Sequence, residues 1–155
     1  MPETSKVLIY TFLYRFAMSM IQYDYHFRVQ YADTDKMGTM HHAQFIKYYE
    51  TARCELFRHL GVPYAEIEAA GFLLPVIGLQ VKYHRTTFYD EHLVMKTRLK
   101  EIKGVRIVVA YEVVNEKQEK INEAEVTLAF VSADTWKPCN PPAFVTDAVH
   151  KQITR

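Results

Sequence analysis

Cysteine is scarce. Two residues, Cys54 and Cys139, are all that the 155-residue chain contains, and they form neither a disulfide framework nor a metal-ligand spacing. Serine occurs only at Ser5, Ser19 and Ser132, and none of these lies in a G-x-S-x-G elbow. The five glycines (Gly38, Gly61, Gly71, Gly78, Gly104) make neither a dinucleotide fingerprint nor a phosphate loop, so no cofactor is expected. Neither sign of charge dominates. With 19 Lys and Arg against 18 Asp and Glu, the footprint of a nucleic-acid partner or an anionic membrane is missing. A long hydrophobic run is missing too, because Val7 to Met18, broken by Arg15, falls short of the ~20 residues that span a bilayer. Lys6 precedes that run as in a signal peptide, but Glu3 and the lack of an A-x-A-like site argue against one. Residues 1–20 are therefore read as an extension, poorly ordered or added by an upstream start codon, with no stable membrane anchor. The default setting is reducing and cytoplasmic.

What remains is ordinary globular material, 49% hydrophobic and 24% charged. At 18.2 kDa the chain is long enough for one domain that buries ~70% of its unfolded surface. That domain is placed at residues 21–142, followed by a loose tail over 143–155. Tyr23, Tyr25, Phe27, Val29 and Tyr31 alternate with polar residues, a half-buried strand. Phe45, Tyr49, Ala52, Leu56 and Leu60 recur at helical steps and predict one long helix from about His41 to Leu60. Gly61 and Pro63 stop it. A short helix is expected over Tyr64–Ala70. Strands follow at Ile77–Tyr83, Leu93–Lys100, Val105–Val114 and Asn122–Val131, the middle two joined by a Lys103-Gly104 turn.

The pattern is α+β: about five antiparallel strands and one long helix. One helix covers one face of such a sheet. Val108, Ala110 and Val114 lie on the other, otherwise polar face, which suggests cover from a second copy.

Chemistry concentrates in the loop from Asp33 to His42. Asp33, Asp35 and Gly38 stand just before the long helix, whose free N–H groups and positive dipole end suit an oxyanion. A carboxylate there could act as base or nucleophile on a carbonyl. An aspartate before a helix is also the usual cap or turn residue, and spacing leaves both readings open. The run from Asp33 to Gly38 opens like an EF-hand loop, but Met37 falls where an oxygen ligand belongs and Gln44 replaces the closing glutamate. Vicinal His41 and His42 are expected to point apart on a helix, so no metal site is read. Cys54 is read as a buried small hydrophobe, Trp136 as packing among prolines, and Glu50 and Arg53 as an i, i+3 pair.

The string YADTDKMGTMHHAQFIKYYETARCELFRHLGV resembles the opening of the 4-hydroxybenzoyl-CoA thioesterase branch of hotdog-fold acyl-CoA thioesterases. The resemblance rests on Asp33, Asp35, Gly38, His42, Ala43, Tyr49, Glu50, Ala52 and Arg53, with weaker likeness at VKYHRTTFYDEHL and NEAEVTLAFVSADTWKP. It implies a sheet wrapped on one helix and dimers whose sheets join, often paired into homotetramers with sites at the interface. It further implies an acyl-CoA substrate and assigns catalysis to Asp35, as nucleophile or general base, and to His42, whose N–H would polarise the thioester carbonyl. Gly38, Tyr49 and Glu50 become substrate-binding positions, and Lys82, Arg85 and Lys103 are candidates for the CoA phosphates. Thr86 and Phe88 depart from the Pro and Arg frequent in that turn, and Lys36-Met37 from small residues. Two rivals remain: a dehydratase of the same fold, and a protein acting on or binding acyl-carrier-protein thioesters without CoA hydrolysis.

Overall fold

The computed structural model describes residues 3–155. Its main sheet has five antiparallel strands in the order β1-β4-β5-β6-β3. These are β1 (Gln22–Arg28), β3 (Val76–Tyr83), β4 (His92–Lys103), β5 (Arg106–Asn115) and β6 (Lys120–Ala129). A second pairing joins β2 (Phe72–Leu73) to β7 (Val131–Ser132). The helices are α1 (Glu3–Ser19), α2 (Gln44–His59), α3 (Tyr64–Ala69) and α4 (Ala143–Ile153).

Strand alternation sorts the two sheet faces. Tyr25 and Phe27 of β1, Leu93, Met95 and Leu99 of β4, and Ile107, Val109 and Val113 of β5 point at α2. Against them α2 buries Phe45, Tyr48, Tyr49, Ala52, Leu56 and Phe57. Full burial of each large side chain contributes roughly 1.5–3 kcal/mol, so this layer dominates the core. The β4–β5 hairpin turns in two residues, Gly104 and Val105, with Gly104 at φ +58, the left-handed value such turns demand.

The opposite face is ionic. Lys96 meets Glu112 at 3.6 Å, Lys120 meets Glu112 at 3.0 Å and Glu123 at 2.7 Å, and Lys100 pairs with Glu125. Ala110 and Val114 are buried on this face within the single chain, in register with Arg98 and Glu125 beside Ala110. Long side chains cover them, so these positions do not themselves call for a second copy. Within the sheet, exposed apolar surface lies instead on the edge strand β3, at Val76, Ile77 and Leu79.

Several expectations are corrected. Residues 3–19 are helical, not an irregular extension, and α1 is fixed at its C-terminal end by buried Met18, by the Arg15–Glu101 ion pair and by Tyr14 against His150. The expected loose tail forms α4, which starts after Pro142 and buries Val145 and Val149. Strand β1 stops at Arg28, short of Tyr31, because the Gln30 N–H turns to the Asp33 carboxylate and Tyr31–Asp33 winds into a 3₁₀ turn. Trp136 is 69% exposed, not packed.

Candidate active site

The loop before α2 is tied from several directions. Thr34 bridges to Met40 and Thr39 to Phe88. The Met40 N–H donates to the Thr87 carbonyl at 2.8 Å, and the His41 N–H to the Asp33 carbonyl at 2.8 Å. Asp35 donates its N–H to Thr39 (3.0 Å), and its carbonyl accepts the Gly38 N–H (2.9 Å). Gly38 sits at φ +77, a conformation that a side chain would strain.

The two aspartates part company. Asp33 is fully buried, and its carboxylate accepts from the Tyr48 hydroxyl (2.5 Å), the Gln30 N–H (3.0 Å) and the Lys47 ammonium (3.3 Å). Burial alone would raise its pKa, but the hydrogen bonds from Tyr48, Gln30 and Lys47 prevail and hold it below the ordinary carboxylate value. Every Asp33 oxygen is committed to structure. Asp35 is half-buried at a surface pocket of about 350 Å³. Its Oδ1 accepts the Met37 N–H at 2.9 Å, and Oδ2 has no donor among the described residues.

The same pocket is lined by His42, Met37, Phe45, Tyr83 and Arg85. Helix α2 begins at Gln44, three residues later than the sequence suggested, because His41 to Ala43 form a turn closed by Gln44 N–H donating to the His41 carbonyl. The Ala43 N–H donates to His41 Nδ1 at 3.3 Å, while the His42 N–H finds no acceptor among the described residues. The Tyr83 hydroxyl donates to the His42 carbonyl at 2.8 Å, holding that peptide from the strand side. Sequence reading noted Tyr83 but not this role, since nothing local links residues 41 positions apart.

The other expected site residues are placed as follows. Gly38 shapes the loop that carries Asp35. Tyr49 is buried under the sheet, donating to Asn122 Oδ1 at 2.8 Å, and Glu50 is exposed on α2; neither lines the pocket. Glu50 does not pair with Arg53. That guanidinium is buried, donates to Tyr64 (2.8 Å) and Tyr111 (3.3 Å), and forms no ion pair among the described residues. Of the three cations proposed for phosphates, Arg85 reaches the pocket; Lys82 faces outward on β3, and Lys103 lies near α1. The His41 and His42 rings do not point apart but lie 4.3 Å between centroids, because they sit in a turn. With Asp33 locked away, they gather no third ligand; among the described residues no cluster of three His, Cys, Asp or Glu could hold a metal. Cys54 is half-buried, and burial raises its thiol pKa, which keeps it protonated. A second depression, about 410 Å³ on the ionic face, is lined by Lys82, Arg98, Glu123 and Glu125, charges suited to pairing rather than to bond cleavage.

An antiparallel sheet packed on one long central helix defines a hotdog fold. Comparison with known proteins gives the family. The thioesterase-like superfamily matches residues 29–149, and the chain belongs to it. It is 31% identical over 110 residues to the putative acyl-CoA thioesterase YneP of Bacillus subtilis, covering 71% of this chain and 80% of that protein. It is 32% identical to the acyl-CoA thioester hydrolase YbgC of Escherichia coli over 72% of this chain and 83% of that protein. The DHNA-CoA thioesterase structure from Staphylococcus aureus superposes with a TM-score of 0.78 at 32% identity, over 86% of this chain and 89% of the other. The family and fold implied by the motif are thus borne out. No helix among the described residues is long and apolar enough to cross a membrane.

Proposed function

We propose that this chain hydrolyses an acyl-CoA thioester to the free acid and CoA, with Asp35 and the His42 N–H as its working groups. One observation carries the reading: a single pocket is lined by Asp35, a half-buried carboxylate with an oxygen that has no donor among the described residues, and by His42, whose N–H has no acceptor among them. Hydrogen bonds from neighbours hold the backbone at both. The thioester carbonyl oxygen takes the His42 N–H as donor, aided by the positive end of α2. Asp35 Oδ2 then attacks the carbonyl carbon, or takes a proton from a water that does. In the first route the thiolate leaves with the C–S electrons to give an Asp35–acyl anhydride, whose acyl carbon water then attacks, breaking the bond to Asp35 and freeing the acid. In the second the water-derived tetrahedral intermediate expels the thiolate directly, and a proton from that water ends on the thiolate. Arg85 at the rim suits a CoA phosphate, although it lies 3.8 Å from Glu119 and shares its charge there.

The reading includes a dimer formed along β3. That strand is a sheet edge, and Ile77 on it is 53% exposed, surface that edge pairing would cover. Pairing two such dimers into a homotetramer is the further assembly that the family resemblance implies.

The test is thiol release from a panel of acyl-CoAs by the wild type and by Asp35→Asn. Turnover should fall ~10²–10⁴-fold in the variant with unfolding unchanged, the range a positioned acid–base group contributes. Equal turnover would return Asp35 to a turn role. Release only from acyl-carrier-protein thioesters would favour the carrier-protein reading.

A further inference from the structure

Helix α1 is apolar on every side and almost wholly exposed. Leu8 is 66% exposed, Tyr10 72% and Phe12 70%, and Ile9, Leu13 and Phe16 are exposed as well. At about 100° per residue these six positions spread over about 200° of the circumference, and Val7, 63% exposed, lies in the remaining arc, so no narrow stripe accounts for them. Packing fixes only the C-terminal end, through Met18, Tyr14 and Arg15. A helix of this composition is normally buried, and short helices take most of their stability from tertiary contact. The segment also lies outside the stretch that matches the family.

We propose that α1 docks the protein reversibly on an anionic lipid surface. Two features favour lipid over a protein partner. A groove on a second protein covers one side of a helix, whereas the acyl region of a bilayer contacts all the sides that insert. The surroundings also carry a cationic excess: α1 has Lys6 and Arg15 against Glu3. Lys103 borders the base of α1, and α4, which touches α1 through His150 and Ile153, carries Asp147 but ends in Lys151 and Arg155. Glu101, the acid beside α1, is already paired with Arg15. Apolar helical surface beside lysine and arginine is held at the headgroup boundary of negatively charged membranes by two contributions, burial of the apolar side chains and attraction of the cations. At 17 residues α1 is about 25 Å long, below the ~30 Å hydrocarbon core, so it would rest in the interface without crossing.

The proposal stands apart from the thioesterase reading, and its test involves no turnover. Full-length protein is floated with phosphatidylcholine vesicles, with and without phosphatidylglycerol. The comparison protein is the doubly substituted Leu8→Glu, Phe12→Glu, whose changes fall on exposed positions and should leave thermal unfolding unaltered. Wild type should float with the anionic vesicles, more weakly as salt rises, and the double variant should bind at least ~tenfold less. Wild type that stays unbound, binds neutral and anionic vesicles alike, or floats as well with both glutamates would overturn the proposal. So would a fall in solution mass in the double variant without vesicle binding by the wild type, which would make α1 an interface between copies.

Discussion

Replacing Tyr48 by Phe removes one hydroxyl and little else. The Tyr48 ring stacks on Phe27 with centroids 4.1 Å apart and an interplanar angle of 19°, contacts that Phe keeps. What disappears is the 2.5 Å bond to the buried Asp33 carboxylate. Hydrogen bonds to charged groups contribute about 1.5–3 kcal/mol, so the variant should lose about 2 kcal/mol at neutral pH. In a chain of this size that is about 4–8 °C in Tm. The pH dependence has a definite sign. The folded pKa of Asp33 lies below its ordinary value of 3.8, so its contribution is full above 3.8 and is lost as pH falls through the folded pKa. Removing Tyr48 moves the folded value back up, and the difference between the two proteins should be largest at neutral pH and shrink in acid. Urea unfolding of both proteins across that range measures it. A loss under ~0.5 kcal/mol at neutral pH, or one unchanged well below 3.8, would refute the charged hydrogen bond as the reason this loop holds its shape.

Tyr83→Phe releases the His42 carbonyl and should lower kcat/KM by about 3–10-fold while leaving stability within ~1 kcal/mol, since the hydroxyl is on a half-exposed ring. Steady-state kinetics beside thermal melts separates the two effects, and unaltered kinetics would remove Tyr83 from the site. Ile77→Lys puts a charge on the β3 edge and should convert the dimer to monomers with loss of turnover, as read by sedimentation and thiol release. A wild type that is already monomeric and active would end the edge-pairing proposal.

Period-two and period-3.6 patterns located α2, α3 and all five strands of the main sheet, because each element packs one face on the core and carries the other in solvent. The misreadings have a common cause. Hydrogen bonds that a hydrophobic period does not register end these elements: the Asp33 carbonyl takes the His41 N–H outside α2, and the Asp33 carboxylate draws Gln30 out of β1. Burial of Arg53 was hidden for a similar reason, since its tyrosine partners lie 11 and 58 positions away and the nearer Glu50 was the obvious pair. For the site, the sequence placed Asp35, Gly38 and His42 in one short loop, and the structure puts Asp35 and His42 at one pocket. Tyr49 and Glu50 belong to the same motif but to different depths of α2, which a linear string cannot distinguish.

Spacing of two makes Asp33 and Asp35 look equivalent, and in a strand they would share a face. The 3₁₀ turn ending at Asp33 breaks that equivalence, sending one carboxylate under α2 to Tyr48 and leaving the other at the surface. Under the proposed mechanism the division would have a use. A nucleophile or base has to be held close to its target, and misplacement by about 1 Å can cost 10²-fold. Asp33 would supply that rigidity from inside the protein while Asp35 keeps an oxygen free for the substrate. The pocket itself, about 350 Å³, is at the small end for a ligand site and far too open to enclose an acyl group with its CoA. Its wall at Tyr83 is the exposed edge strand. A partner paired along β3 would therefore add the missing wall at the point where the acyl group must be held, which ties assembly to substrate choice and makes the edge-strand variant a test of both.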